Sequence, residues 1–451
     1  MRWSTVIGTG SLWIMGVKAA IPLDLTSRQS IVDAAGTVAY DLMTYYTGNR
    51  TGDTPGNLPD PYYWWEAGAM FGTMINYWYY TGDTTYNTVT KQALLHQVGD
   101  NNDFMPLNQT KTLGNDDQGF WGMAAMTAAE TGFDDPPEGS PGWLALAQGV
   151  FNTQAPRWDT STCGGGLRWQ IFPFNSGYTY KNSISNGCFF NLAARLALYT
   201  GNATYAEWAE KTWVWMNDIG LINEKFEVFD GTQNTDNCTS KDHNKWTYNT
   251  GIFLMGAATM YNYTNGADIW KSRTESLITA SKQFYLDGIL YEPCEPTGKC
   301  NVDQRSFKTY FIRELAATAE LAPWTHDNII KEIETSALAA VKTCTAGATG
   351  TQCGLKWTTG SNDGSLGVGE QMAVLEAIQS NLVDQAPGWK SDVKGTGTSS
   401  GDSNAGSGSK TNPDELAQIV ITTGDRVGAG ILTALVICGV IGGSATMILG
   451  V

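Results

Sequence analysis

Residues 118–132 read Gln-Gly-Phe-Trp-Gly-Met-Ala-Ala-Met-Thr-Ala-Ala-Glu-Thr-Gly, an unbroken run of helix-forming and apolar residues that stops at a glycine. Glycine takes up the left-handed conformation that closes a helix at no steric cost, so Gly132 predicts a C-terminus. The same ending recurs in Tyr80-Thr81-Gly82-Asp83, Tyr199-Thr200-Gly201-Asn202 and Tyr263-Thr264-Asn265-Gly266. Working outward, helically spaced apolar residues predict segments over Ser27–Tyr46, Trp64–Thr81, Tyr86–Val98, Gln118–Thr131, Gly142–Gln154, Asn186–Thr200, Ala203–Ile219, Trp246–Asn262, Ala267–Phe284, Arg305–Leu321, Asn328–Val341 and Leu366–Leu382. Recurrence over this length suggests stacked helical hairpins. About six pairs closed into a ring make an all-α (α/α)6 toroid, a barrel of hairpins whose inner helices point their ends into a central cavity. The clearest strand signal, Lys225–Asp230, is isolated and argues against an all-β or βαβ chain.

The helical domain is expected over residues 21–386. Ahead of it, Arg2, the apolar stretch around Leu12-Trp13-Ile14-Met15 and then Val17-Lys18-Ala19-Ala20 read as a signal peptide, residues 1–20, cleaved near Ala19 or Ala20. Behind it, periodicity fades from Pro387. Residues 387–426 read as a Gly/Ser/Thr-rich linker with the anchor attachment region, in which Lys394–Ser409 is expected to be a flexible, solvated tether. From Val427 to Val451 the chain is uncharged, and a small polar region followed by such a tail fits a glycosylphosphatidylinositol (GPI) attachment signal. A spanning helix is the rival for a run of this length, but no basic residues follow to hold it in place. The expected location is therefore outside the cell, GPI-anchored at the outer face of the plasma membrane or in the cell wall.

Cysteines and sequons point the same way. Of eight cysteines, Cys438 lies in the tail. Cys294 with Cys300 and Cys344 with Cys353 look like local disulfide staples of an oxidising compartment, while the pairing of Cys163, Cys188 and Cys238 is not readable. Asn49, Asn108, Asn202, Asn237 and Asn262 each open an Asn-X-Ser/Thr triplet, and so are candidate glycosylation sites. His96, His243 and His326 are too few and too scattered for a zinc site or a histidine-based triad, and no cofactor is implied. A net charge of −16 argues against nucleic acid, whose binding needs Lys and Arg to neutralise phosphate. With 17 Trp, 19 Tyr and 15 Phe the chain has ample flat surface for the apolar faces of sugars.

Chemistry is signalled most strongly just ahead of the opening stretch, at Asn115-Asp116-Asp117. Asn115 is expected to cap the helix, with both acids in its first turn. Cleaving a sugar linkage takes one carboxylic acid to protonate the leaving oxygen and one carboxylate to attack or stabilise the anomeric carbon, roughly 5 Å apart in retaining enzymes. A helix N-terminus favours one ionised carboxylate while its neighbour's charge raises the other's pKa, so a dipeptide can supply both roles. The plainer account is that both acids only complement the helix dipole.

The run Gly114-Asn115-Asp116-Asp117-Gln118-Gly119-Phe120-Trp121, with Trp64-Trp65-Glu66-Ala67-Gly68-Ala69-Met70, His243-Asn244-Lys245-Trp246-Thr247-Tyr248-Asn249-Thr250-Gly251 and Arg305-Ser306-Phe307-Lys308, resembles glycoside hydrolase family 76. More closely it resembles the fungal, lipid-anchored cell-wall mannan endo-1,6-α-mannosidase-like members. The resemblance covers essentially the whole chain. It implies an (α/α)6 barrel and a retaining double displacement with Asp116 as nucleophile and Asp117 as acid/base. It also implies a mannose-containing donor, either α-1,6-mannan or the GPI core glycan, and a β-glucan acceptor when transglycosylation joins anchored proteins to the wall. Plain endo-α-1,6-mannanase hydrolysis and non-catalytic mannan binding are the alternatives. Trp65, Gln118, Trp121, Tyr248 and Asn249 carry over as candidate sugar contacts, with Arg168 and Trp169 from Cys163-Gly164-Gly165-Gly166-Leu167-Arg168-Trp169, and Asn186. For most of these a packing or capping role competes.

Overall fold

A computed structural model describes residues 21–109, 112–408 and 433–438. The signal peptide and all of the apolar tail but residues 433–438 lie outside the described residues, as does the linker beyond residue 408. Among the described residues up to 408, twelve α-helices are found where the periodicity predicts them: α1 (Arg28–Met43), α2 (Trp64–Thr81), α3 (Asn87–His96), α4 (Asn115–Thr131), α5 (Trp143–Gln154), α6 (Ser183–Thr200), α7 (Ala203–Asp218), α8 (Thr247–Tyr263), α9 (Asp268–Ser281), α10 (Phe307–Leu321), α11 (His326–Ala340) and α12 (Val368–Gln379). Gly82, Gly132 and Gly201 close their helices in the left-handed conformation, as their place in the sequence requires. The fourth ending differs: α8 is closed by Thr264, with a left-handed Asn265 just beyond.

The even-numbered helices form the inner ring. Each packs on the next, and α12 packs back on α2 to close the circle, while every odd-numbered helix lies outside, against an inner partner. This is the (α/α)6 barrel. Inner helices such as α4 and α8 are buried along nearly their whole length, whereas α9 and α11 bury one stripe. All inner helices run the same way, so their N-termini gather at one end, where long connections form the cleft face. Their C-termini gather at the base. A small antiparallel sheet, β1 (Tyr180–Asn182), β2 (Gly231–Gln233) and β3 (Lys241–Asp242), folds over the cleft face. Lys225–Asp230 forms no named strand, only a bridge between Ile222 and Val228.

Among the described residues there are three disulfides: the two expected staples, Cys294–Cys300 and Cys344–Cys353, and Cys163–Cys238, which leaves Cys188 free and buried. All five sequon asparagines are exposed.

The Gly/Ser/Thr-rich segment departs from expectation. Up to residue 408 it is a docked strap and not a solvated tether. Trp389 packs under the base, the Lys390 amide donates to the Glu130 carbonyl at 2.6 Å, and Ala405 is buried against the barrel. The domain thus extends past residue 386. Composition signalled a loose chain, but the docking uses backbone amides and carbonyls, which every residue carries.

Candidate active site

Asp116 and Asp117 occupy the second and third positions of α4, whose N-cap is Gly114 rather than the expected Asn115. Asp117 reaches back so that its Oδ2 accepts from the Gly114 amide at 2.7 Å. A side chain at residue 114 would stand 2.4 Å from Asp116 Oδ1 and 3.3 Å from Asp117 Oδ2, so only glycine lets both acids fold over the helix start. Asn115 does different work. Its backbone amide donates to the Trp169 carbonyl at 2.9 Å and its side-chain amide to the Arg168 carbonyl at 2.8 Å, pinning α4 to the neighbouring loop. Behind it, Arg157 donates to Asn115 Oδ1 at 2.9 Å and to Gln118 Oε1 at 2.7 Å. The acids therefore stand on a buried, hydrogen-bonded base.

Two confluent clefts meet at the pair. One, about 310 Å³, is lined by Asp116, Asp117, Phe120, Tyr180, Asn182, Asp230, Trp246, Tyr248 and Phe307 among others. The second, about 500 Å³, runs outward between Tyr62, Tyr63, Trp64, Gln109, Leu113 and Gln170. Trp65, Asp117, Trp169 and Asp303 line both. The groove is open and walled by aromatic rings, a shape suited to a chain of sugars passing over the acids.

Burial raises the pKa of both carboxyls. Asp116 goes well above its ordinary value, chiefly by desolvation and then by the charge of Asp117. Asp117 is pushed up to about 7, again chiefly by desolvation, with Asp303 adding to the rise and the Gly114 amide opposing it. Asp116 Oδ1 is buried without a hydrogen-bond partner. The two neighbouring carboxyls titrate as a coupled pair that keeps its protons to higher pH than free aspartates do, so an acid and a carboxylate can stand side by side.

The candidate contacts divide. Trp65, Trp169 and Tyr248 do line the groove, Trp169 being 37% exposed and the Tyr248 ring lying flat on Phe307 at 3.7 Å. Trp121 does not: it is fully buried, stacked behind Trp64 at 5.0 Å, and Trp64 takes the groove-facing place. Gln118 is buried too, donating to the Asp103 carbonyl and Thr153, so it braces α4 instead of meeting a sugar. Asn186 is buried and exchanges hydrogen bonds with the Leu167 backbone. Asn249 sits behind the wall with its amide 3.4 Å from Asp230. Arg168 is committed to Asp159 at 2.7 Å and the Tyr178 carbonyl at 3.0 Å, in a separate hollow. The glycines before it admit the rings of Trp158 and Trp215, not a ligand.

Asp303, Asp230, Tyr180, Asn182, Trp246 and Phe307 are groove residues that the sequence reading passed over as sugar contacts. Asp303 stands two residues before the Arg305-Ser306-Phe307-Lys308 motif, which was the available signal. Its Oδ1 is buried without a partner, and its carboxyl is raised chiefly by burial, with a hydrogen bond from Trp65 opposing. Asp230 accepts from the Tyr180 hydroxyl at 2.8 Å.

A model of glycosyl hydrolase family 76 matches residues 30–392. The chain is 50% identical over 441 residues to mannan endo-1,6-α-mannosidase DCW1 of Saccharomyces cerevisiae, covering 97% of each. It is 47% identical to mannan endo-1,6-α-mannosidase DFG5 of the same yeast, over 95% of this chain and 94% of that one. Dfg5 from Chaetomium thermophilum, solved in complex with glucosamine, superposes with a TM-score of 0.84 at 47% identity, covering 87% of this chain and 99% of that chain. The α-1,6-mannanase GH76A of Salegentibacter, in an inactive variant with α-1,6-mannotriose, gives 0.62 at 18% identity over 78% of this chain and 99% of that chain, a likeness of fold.

Proposed function

The chain belongs to glycosyl hydrolase family 76, and from that premise we propose that it is a retaining α-mannosidase that acts on α-1,6-linked mannose and passes the cut glycan to an acceptor sugar. The observation that carries the reading is the buried pair of adjacent carboxyls, Asp116 and Asp117, at the junction of two open clefts. In the first step the Asp116 carboxylate attacks the anomeric carbon, the glycosidic C–O bond breaks, and Asp117 gives its proton to the leaving oxygen. In the second, Asp117 takes a proton from water or a sugar hydroxyl as that oxygen displaces Asp116, and two inversions leave the configuration retained. The assignment of the two roles rests on the family resemblance.

The donor is a mannose-containing glycan, α-1,6-mannan or the core glycan of a GPI anchor, and the acceptor a β-glucan. The names of the fungal relatives support the mannose linkage, and the glucosamine bound to the Chaetomium relative suits a glycan that carries both sugars. The sequence signals at both ends support export and GPI attachment at the outer face of the plasma membrane.

Incubation with a fluorescent α-1,6-mannoside, with and without β-glucan oligosaccharide, tests this beside Asp116→Asn and Asp117→Asn. Elongated product that needs both acids and the oligosaccharide is expected. Shortened product alone would mean hydrolysis, and binding without turnover would leave only a mannan-binding protein.

A further inference from the structure

The strap makes a directed path. It starts at the base, where the Asp392 and Val393 amides donate to the Tyr199 carbonyl at 3.0 and 3.3 Å, close to the C-terminus of α6. It then climbs α5 from end to end. Ser399 Oγ accepts from the Leu144 amide at 3.0 Å, the Ser400 carbonyl from Ala145 at 3.2 Å, and the Asp402 amide donates to Gln148 Oε1 at 2.8 Å. The side-chain amide of Asn152 donates to the Ser403 and Ala405 carbonyls, each at 2.9 Å. The Gly406 amide reaches the Asn101 carbonyl at 2.9 Å. Helix α5 runs from base to cleft face, so the chain is delivered at residue 408 to the cleft side. The fit is close: a side chain at Gly149 would stand 2.1 Å from the Asn102 carbonyl oxygen, and one at Gly406 2.6 Å from that of Gly149.

The point of delivery lies beside the groove. Asn101 belongs to the connection between α3 and α4, and the same connection supplies Gln109, Thr112 and Leu113 to the wall of the larger cleft. Exposed apolar side chains are found on this side: Tyr63 of the larger cleft is 60% exposed, and Leu107, in the connection that also carries Gln109, is 78%. Only residues 409–426 separate the strap from the uncharged run beginning at Val427. Fully extended they span about 60 Å. A surface on the cleft side is reached directly, whereas turning the base toward it would first take roughly 27 Å of chain back down the barrel, the length of an 18-residue helix such as α2.

We propose that the strap orients the enzyme so that its groove faces the surface to which its own C-terminal end is attached, and that the donor is a glycan held on that same surface within reach of the rim. This rests on the anchored reading above. The site then draws on glycans attached to neighbouring anchors, and is turned away from polymer presented from outside. No contact with lipid is required, since glycans stand between.

The test uses the full chain bearing its anchor, reconstituted in vesicles that carry a headgroup-labelled energy acceptor. A donor dye is placed at Leu107→Cys on the rim or at Glu138→Cys in the exposed base loop before α5. Transfer is expected to be several-fold stronger from the rim, and a 40-residue Gly/Ser insertion after Gly408 should erase the difference. Equal or reversed transfer would overturn the orientation. In the same vesicles, a lipid-linked α-1,6-mannoside displayed in cis should be turned over at least tenfold faster than the same mannoside on separate vesicles. Equal rates would overturn the substrate assignment. Loss of the chain from the vesicles would sink the anchored reading itself, and failure to cleave even a soluble mannoside would sink the proposed activity, so the failures are separable.

Discussion

Gly114 shows how one atom governs the acid pair. Its backbone is unstrained, at φ −92°, so what an added methyl would disturb is the carboxylate standing 2.4 Å away. Gly114→Ala should therefore keep the fold, shown by an unchanged circular dichroism spectrum, and lower turnover of an α-1,6-mannoside at least tenfold, since a misplaced reacting group loses about that or more. Wild-type turnover in Gly114→Ala would mean that the acids tolerate displacement. The pair's raised pKa values give a second expectation. A carboxyl raised by folding binds its proton more tightly in the native state, so the stability it contributes is complete below its unfolded value near 4 and is lost as pH rises through its folded value. For Asp117 that window closes at about 7. Asp117→Asn, which keeps an acceptor for the Gly114 amide, should raise Tm relative to the parent at pH 8 but not at pH 4, while lowering turnover by about 100- to 10,000-fold. The parent's turnover should fall on the alkaline side of about pH 7 as Asp117, the acid of the first step, loses its proton. A Tm difference that does not grow with pH would rule out the raised pKa. The acids were legible because they adjoin in sequence. Trp121 was misplaced because 16 of the 17 residues of α4 are buried, so no amphipathic stripe distinguishes the groove side from the packed side.

At the scale of elements, the loops over the cleft face depend on crosslinks more than on core. The loop before β1 is tied to the chain after β2 by Cys163–Cys238, and Lys181 in β1 donates to the carbonyls of Asp159, Thr162 and Gly165 at 3.0, 2.9 and 2.6 Å. The sequence separations are 75 for Cys163–Cys238 and 6 for Cys294–Cys300. In the loop-entropy account their removal costs about 4 and about 2 kcal/mol respectively. Serine at both cysteines of the long pair should thus lower thermal stability roughly twice as much as serine at the short pair, read by calorimetry on the two double variants. The reverse order would show that the short link carries local packing. Only the short pairs were readable in the sequence, because nearness along the chain implies nearness in space. Cys163 and Cys238 meet through the β1–β2 pairing, which no local pattern announces. Asp230 and Asp303 were passed over for the same reason: each enters the groove from a separate connection, and the barrel alone brings them beside Asp117.

A ring of helices leaves the whole molecule with two open ends, and this barrel treats them oppositely. The cleft end is left open. The base holds Glu130 paired with Arg195 through a doubly bonded contact, Arg313 with Glu376 at 2.9 Å, and Glu314, whose Oε2 has no hydrogen-bond partner. A void of about 30 Å³ lies among Glu130, Arg195, Arg313 and Glu314, with Trp389 of the strap beneath it. Ending the chain after Ala386 would admit water to these charges and unpair the carbonyls of Glu130 and Tyr199, which accept from strap amides. The half-buried Trp389 ring alone accounts for about 2 kcal/mol, below the 3–5 typical of a fully buried tryptophan cut to alanine. Trp389→Ala is therefore expected to lower Tm by a few degrees, and removal of residues 387–408 with everything after them by clearly more. Turnover of a small soluble mannoside should survive both changes below the melting range, because the acids stand at the other end of the inner helices. Equal Tm in the parent and the truncated form would show that the base needs no cover. A loss of soluble turnover at a temperature where the truncated form remains folded would mean that the strap supports the groove itself, through the Asn101 contact and the connection leading to α4.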